Sequence, residues 1–371
     1  MSISEKKYPY GHQNITEDDI ACVAEALRAD FITSGPVVES FERAICEYTG
    51  AKYCVALSNA TAGLHIAAMA AGLKEGDEAI TSPITFLSSA NCARFCGATV
   101  VFADIDPATA NISVSEIEKK ITDKTKLIVP VHFAGQSCDM RRIREIAAER
   151  SITVIEDAAH AIGSDYLGTK VGSCEYSDMT VFSFHPVKTI TTGEGGAITT
   201  NDESLYKRLK ALRSHGVYKE GEMARDWRYE MRELGFNYRM TELQAALGVS
   251  QMRRLGAFKA RRREIVKFYN ERLGLPHLRE EEFSNACFHL YPVLLENRAE
   301  VYRKAREKGL FLQVHYIPVY SQPYYRSLGL YDPRDYPNAE EYYRKTISLP
   351  LYPALTDADL EEIARRLGEI L

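Results

Sequence analysis

Two hydrophobic periods alternate through the first two hundred residues. Short apolar runs at 53–57, 78–81, 99–103, 127–131, 153–156, 179–184 and 197–200 read as buried strands. Between the earlier runs, apolar positions return every three or four residues, predicting helices at 61–72, 88–96, 113–121 and 140–150. Ser113 and Glu116 give the third of these helices a capping box. Ahead of the alternation, Thr16-Glu-Asp-Asp opens a helix in which Thr16 caps, Asp19 reaches back, and Ile20, Val23, Ala24 and Leu27 recur. Pro36 suits the first turn of the next helix, at 37–48. Strand and helix in turn mean βαβ units, so the chain is α/β, with a mostly parallel sheet covered on both faces.

Past Thr241 the pattern changes. One long helical region runs toward Arg272, carrying Arg253, Arg254, Arg261, Arg262 and Arg263 as a basic, solvated face. Strands at 288–295 and 311–315 and helices at 298–308, 339–348 and 356–370 then predict a smaller α+β unit. The stretch 316–336 is loop-like and dense in Tyr and Pro. A division follows, into a large domain at 1–245, including an N-terminal arm, and a small one at 246–371.

Composition narrows the function. The 371 residues are 45% hydrophobic and 26% charged, ordinary for a globular protein. A net charge of -5 argues against nucleic acid or an anionic membrane as partner. No run reaches the ~20 apolar residues that cross a bilayer, and Met1–Lys7 has no apolar signal core behind it. Eight scattered cysteines complete no zinc set, so no metal is expected; they read as free thiols in a reducing cytoplasm.

Three stretches carry chemistry. In Thr180-Val-Phe-Ser-Phe-His-Pro-Val-Lys188, Pro186 takes the chain out of the sheet and Lys188 follows just beyond the strand's carboxyl end, where α/β sheets collect ligands. Such a lysine, near Ser183 and His185, is either a surface amine or a nucleophile that forms a Schiff base. In Val154-Ile-Glu-Asp157-Ala-Ala-His160, Asp157 ends a buried strand, so its carboxylate requires a partner. A pyridinium nitrogen would serve, as would a helix N-terminus or an arginine; His160 is a core histidine or a base. In Ser58-Asn59-Ala60-Thr61-Ala62-Gly63, small and hydroxyl residues open a helix whose N–H groups suit a phosphate, although Ser58 or Asn59 can equally be only a cap. The Gly193-Glu-Gly195-Gly196 turn lacks the spacing of a dinucleotide fingerprint, and no Walker-type Gly-Lys-Ser occurs.

These stretches, with Arg213-Ser-His-Gly216 and Gly235-Phe-Asn-Tyr-Arg-Met240, resemble the DegT/DnrJ/EryC1/StrS sugar-nucleotide aminotransferases over nearly the whole chain. Thr85-Phe86, Gln313-Val-His-Tyr-Ile-Pro-Val-Tyr320 and Ile347-Ser-Leu-Pro350 point within that family to the 4-aminotransferases of pseudaminic acid synthesis. The resemblance implies a fold type I transferase that uses pyridoxal 5'-phosphate. Lys188 would bind the cofactor and shuttle a proton to the sugar C4, and Asp157 would hold the ring nitrogen protonated. Phe86 would cover one ring face, His160 would sit near the ring, and Ala60, Thr61 and Ser183 would surround the phosphate. Asn237 would join the phosphate from the partner of a homodimer with a shared active site. Tyr10, the segment Asp30, Phe31, Ile32 and Thr33, the loop Val319, Tyr320, Ser321 and Gln322, and His315 would line the nucleotide-sugar site; the tyrosine-rich loop suits base stacking or a dimer surface. Family members that remove a sugar hydroxyl carry histidine where this chain has Lys188, which favours transamination.

The expected reaction moves an amino group from L-glutamate to C4 of a UDP-linked 4-keto-6-deoxy-N-acetylhexosamine, in a cytoplasmic enzyme. A GDP- or dTDP-linked keto sugar is the alternative acceptor. A protein that binds the cofactor and sugar nucleotides without turnover is the alternative of another class.

Overall fold

A computed structural model describes residues 6–219 and 221–371, with the side chains of Glu222 and Ala224 set aside. The stretch Met1–Glu5, part of the segment expected to lack a signal core, lies outside the described residues. Seven strands form one sheet, in the spatial order Tyr53–Leu57, Gly196–Thr200, Met179–Ser183, Thr153–Asp157, Thr125–Val129, Glu78–Thr81 and Thr99–Phe102. Only Gly196–Thr200 runs against the others, pairing antiparallel on both sides; the remaining pairs are parallel. The sheet is therefore mostly parallel, as the alternation predicts.

Every residue of Met179–Ser183 is buried, because both sheet faces are covered. Val181 packs into one core with Leu57, Leu64 and Ile198, and Phe182 into another with Phe41, Phe184 and Ile190. The helix Ala60–Ala70 lies so close to the sheet that a Cβ on Gly63 would stand 3.0 Å from Val181. That contact sets the depth of the helix N-terminus at the sheet's edge.

Local signals place most element ends. Thr16, Thr241 and Thr356 each form a capping box with the residue three positions on, a device in which the cap alone contributes about 1 kcal/mol. Ser113 does cap Val114–Lys120, but Glu116 turns its carboxylate to Lys119 at 2.6 Å instead of back to the cap. The helical region after Thr241 is two helices, Glu242–Met252 and Leu255–Leu273, divided at Arg253-Arg254. Residues 339–348 change conformation part-way: Pro337–Lys345 is helical, then Thr346–Leu349 is a strand antiparallel to Tyr291–Leu294. Of 311–315 only Phe311 is strand, in Leu310–Phe311, and it pairs with Tyr8–Pro9. Tyr8 consequently belongs to the C-terminal core, and the 245/246 boundary falls inside Glu242–Met252.

The basic face expected on the long helix is only partly solvated: Arg253 is exposed, Arg254, Arg261 and Arg263 are half-buried, and Arg262 is in the core. Arg262 is 1% exposed and donates to the carbonyls of Phe288, His289 and Leu351. Arg254 bonds Asp19 and Asn14, and Arg263 grips Glu280. These guanidiniums tie elements together. Conversely, Ile20 and Leu27 point outward from Glu17–Arg28, while Asp19 and Ala26 are buried.

Candidate active site

Three strand ends meet where the chain leaves the sheet. Phe184 donates to Gly195 and Thr192 to Phe184, closing a loop between Met179–Ser183 and Gly196–Thr200. Within it, Lys188 N–H donates to His185 at 2.9 Å, a turn that carries Lys188 back over the sheet edge. Its side chain is half-buried. Desolvation of its ammonium pushes the pKa down to about 8, against the Asp157 carboxylate, which pulls it up. An amine so placed is a better nucleophile than an exposed lysine.

Asp157 closes the strand Thr153–Asp157 and is 4% exposed. Its Oδ1 accepts from Ala159 N–H at 3.0 Å and its Oδ2 from Ser89 Oγ at 2.6 Å. It makes no salt bridge among the described residues. His160, also buried, places Nε2 3.1 Å from the Tyr316 hydroxyl, and its Nδ1 has no partner among the described residues. The rings of Phe133, Tyr316 and His289 surround it, His289 at 4.5 Å. Burial holds His160 and His289 far below the usual imidazole range, with Lys188 adding to the effect. Burial likewise takes His315 down to about 3; its Nδ1 lies 2.9 Å from Ser348 Oγ and its ring 4.8 Å from Tyr10. The surroundings of Lys188 therefore hold neutral imidazoles and one carboxylate.

The third strand end, after Tyr53–Leu57, leads into Ala60–Ala70. Asn59 is the cap, accepting from Ala62 N–H at 2.8 Å, which leaves the N–H groups of Ala60 and Thr61 at the open end of the helix. Thr61 Oγ1 lies 2.6 Å from Ser88 Oγ. A Cβ on Gly196 would stand 2.6 Å from the Asn59 carbonyl carbon, so only glycine lets the neighbouring strand run beneath this turn. Ser183, last in its strand, is buried, and its Oγ accepts from His185 N–H at 3.5 Å.

The other expected residues divide. Tyr10 is beside this centre, since Gly11 lies against Val187. Phe86 is 58% exposed, its ring tilted and 6.3 Å from Tyr316. Asp30, Phe31, Ile32 and Thr33 are exposed and attach elsewhere: Ile32 O accepts from Glu242 N–H and Thr33 bridges to Thr241. Asn237 is exposed and bridges to Ser214. Val319 and Tyr320 need correction. Both are core residues: Val319 N–H donates to Pro83, and Tyr320 stacks on Tyr336 at 4.6 Å with its hydroxyl on Glu340. The ring read as a base-stacking surface is 1% exposed, and only Ser321 and Gln322 of that loop reach solvent.

Ser89, Tyr316 and His289 escape the sequence reading. Ser89 stands in an ordinary helix start, and His289 and Tyr316 reach His160 through tertiary packing across 129 and 156 positions.

The donor set fits pyridoxal phosphate: a buried carboxylate that makes no salt bridge among the described residues, an unpartnered imidazole nitrogen, a neutralisable amine and an open helix N-terminus at one sheet edge.

Comparisons with known proteins agree. The model of the DegT/DnrJ/EryC1/StrS aminotransferase family matches residues 13–368. The chain is 39% identical to the spore coat polysaccharide biosynthesis protein SpsC of Bacillus subtilis, over 98% of this chain and 97% of that one. It is 37% identical to a UDP-4-amino-4,6-dideoxy-N-acetyl-beta-L-altrosamine transaminase of Campylobacter jejuni, with the same coverages. Among solved structures, Helicobacter pylori PseC, an aminotransferase of pseudoaminic acid biosynthesis, superposes with a TM-score of 0.92 at 31% identity, covering 98% of this chain and 99% of that one. The sugar aminotransferase Spr1654 of Streptococcus pneumoniae in its PLP-form gives 0.91 at 30%, covering 99% and 100%.

Proposed function

This chain belongs to the DegT/DnrJ/EryC1/StrS aminotransferase family, and from that premise we propose that it moves an amino group from L-glutamate to C4 of a UDP-linked 4-keto-6-deoxy-N-acetylhexosamine. It is a pyridoxal phosphate-dependent sugar aminotransferase; the acceptor and the pathway, of the pseudaminic acid type, are our reading. The observation that carries it is Lys188 beside Asp157 at the sheet's carboxyl edge, in a chain alike over its length to transaminases of such a sugar.

Pyridoxal phosphate, when bound, supplies an electron sink that acidifies the donor's α-carbon. In our reading Asp157 holds the proton on the ring nitrogen, its carboxylate aimed by Ala159 and Ser89. Ala60, Thr61 and Ser183 bind the phosphate, and Phe86 and His160 flank the ring. Lys188 Nζ first binds the cofactor, then takes the proton from the donor's α-carbon. In the second half-reaction it delivers a proton to the sugar C4, where the ketone becomes the amine. Neutral His160, His289 and His315 add no positive charge that would repel a protonated Lys188.

We assign Asn237 to the site of a second copy, in a homodimer. Exposed Trp227 and Leu234, which precede Asn237 in the chain, and exposed Phe31 and Ile32, next to the Thr33 that bridges to Thr241, support this. No helix among the described residues is long and apolar enough to cross a membrane, and the eight free cysteines suit the cytoplasm.

The test is a panel of UDP-, GDP- and dTDP-linked 4-keto sugars with L-glutamate, the products identified by NMR. We expect a 4-amino product from the UDP-N-acetylhexosamine arm. A product only from a dTDP or GDP arm overturns the acceptor, and no glutamate half-reaction at all overturns the enzyme. Borohydride reduction and peptide mapping should leave the cofactor on Lys188; another lysine refutes that assignment.

A further inference from the structure

Asp157 is aimed by a hydroxyl that lies on another element. Ser89 sits in the first turn of the helix Ser88–Phe95 and is 1% exposed. Its Oγ has three neighbours: Asp157 Oδ2 at 2.6 Å, Thr85 Oγ1 at 2.7 Å and Phe86 O at 3.3 Å. A serine has one proton to give. Carboxylate and carbonyl oxygens only accept, and the shorter, charge-assisted contact to Asp157 takes that proton. The Thr85 hydroxyl must then donate to Ser89, because Ser89 has no second proton to offer it. The direction of the relay is thereby fixed, Thr85 to Ser89 to Asp157, and each bond polarises the next.

Thr85 is buried and immediately precedes Phe86, whose ring stands exposed at the mouth of the site. The relay thus joins the turn that presents Phe86 to the carboxylate at the end of Thr153–Asp157. With Ala159 N–H on the other oxygen, both oxygens of Asp157 are pinned from the protein side. The plane of the carboxylate is fixed before any ligand arrives, and so is the position of its free lone pairs. Pre-organisation of this kind lowers the cost of binding.

We infer that Ser89, supported by Thr85, is the positioning residue that sets Asp157 for the ring nitrogen of the cofactor, so that cofactor affinity depends on these two hydroxyls. This rests on the reading of Asp157 given above. Neither residue touches the reacting atoms; both act through Asp157.

The experiment titrates apo-protein with pyridoxal 5'-phosphate and follows the visible band of the complex, for wild type, Ser89→Ala, Thr85→Val and Thr85→Ser. Thermal unfolding of each apo-protein is run alongside. Loss of a hydrogen bond to a carboxylate should raise the dissociation constant about tenfold in Ser89→Ala. Thr85→Val leaves Ser89 in place but removes its donor, and should give a smaller rise, roughly threefold. Thr85→Ser keeps the hydroxyl and should restore wild-type affinity. Ser89→Ala within twofold of wild type overturns the inference. So does Thr85→Ser as weak as Thr85→Val, since methyl packing is then what matters. Loosened binding that tracks a lowered unfolding temperature across the series also overturns it, as a general structural effect. A wild type that binds no cofactor overturns the site assignment itself, a result distinct from these.

Discussion

The sheet edge around Lys188 and the band formed by residues 30–33 and 227–237 are finished to different degrees. At the sheet edge the chain supplies its own partners. Asp157 has a donor on each oxygen, Thr61 meets Ser88, and Tyr316 meets His160. In the band, large apolar side chains face outward: Trp227 is 85% exposed and Leu234 71%. The two parts of the band are distant in sequence, and the bridge between Thr33 and Thr241 ties the first to the chain just beyond the second. A buried polar group without a partner costs about 1–3 kcal/mol, so the sheet edge was completed inside the chain except where the cofactor is to bind. Exposed apolar groups carry no such local penalty, and a surface of this kind signals a covering partner. In the proposed homodimer, chemistry and completion of the site fall to separate regions.

The largest effect should come from removing the amine. Lys188→Ala should slow the glutamate half-reaction at least about a thousandfold in single-turnover absorbance traces, because in the proposed reaction one side chain both binds the cofactor and moves the proton. Apo-protein unfolding should change little, since Lys188 carries a desolvation cost in the folded state. A variant that keeps a tenth of the rate would contradict the role. Second comes Leu234→Asp, which places a charge in the proposed contact with the second copy. Sedimentation should show the dimer dissociation constant raised about a hundredfold, with monomer unfolding unaltered. An intact dimer would remove the band from the interface.

The two regions were also unequally legible. Strand runs, the threonine caps, Lys188 after a strand end and Asp157 at another follow from period, turn residues and the cost of burying a carboxylate. The helix Glu203–Arg213 is legible too, from the cap Asp202 and from Leu205, Leu209 and Leu212. Ser89 is not. Its role exists only because Ser88–Phe95 packs where Thr153–Asp157 ends, a distance of 68 positions. Tyr320 misled for a related reason: a tyrosine in a Pro-rich loop reads as exposed, and only the packing of Phe102, Tyr336 and Glu340 shows it buried. The apolar stripe Ile20 and Leu27 predicts a helix correctly yet says nothing of which face meets the core. Periodicity reports the presence of an apolar face, and tertiary contacts decide what covers it.

A third test varies pH. With its pKa near 8, Lys188 is protonated below that value and a free amine above it. The rate of cofactor capture by apo-protein should therefore rise with pH and level off above about 8, falling about tenfold per unit well below it. An ordinary lysine would keep rising toward 10.5. A plateau beginning only near that value would mean the ammonium is solvated, and the sheet edge would lose its distinction from the surface.

The smallest effect should come from Tyr316→Phe. The hydroxyl lies 3.1 Å from His160 Nε2. If it donates, Nε2 is the acceptor and the proton of the neutral ring sits on Nδ1, the nitrogen left without a partner. Tyr316 would then set which nitrogen faces the bound cofactor as a donor. Removing the hydroxyl frees the ring to take the other tautomer and leaves Nε2 unsatisfied, which should cost about 1 kcal/mol in unfolding free energy. The half-reaction rate should fall roughly threefold to tenfold, the larger part coming from the tautomer change. The readout that separates the two is nitrogen-15 NMR of labelled histidine, in which the Nδ1 and Nε2 shifts report the tautomer directly. Loss of stability with the tautomer unmoved would make Tyr316 a packing residue; a moved tautomer would make it part of the same self-supplied order that holds Asp157.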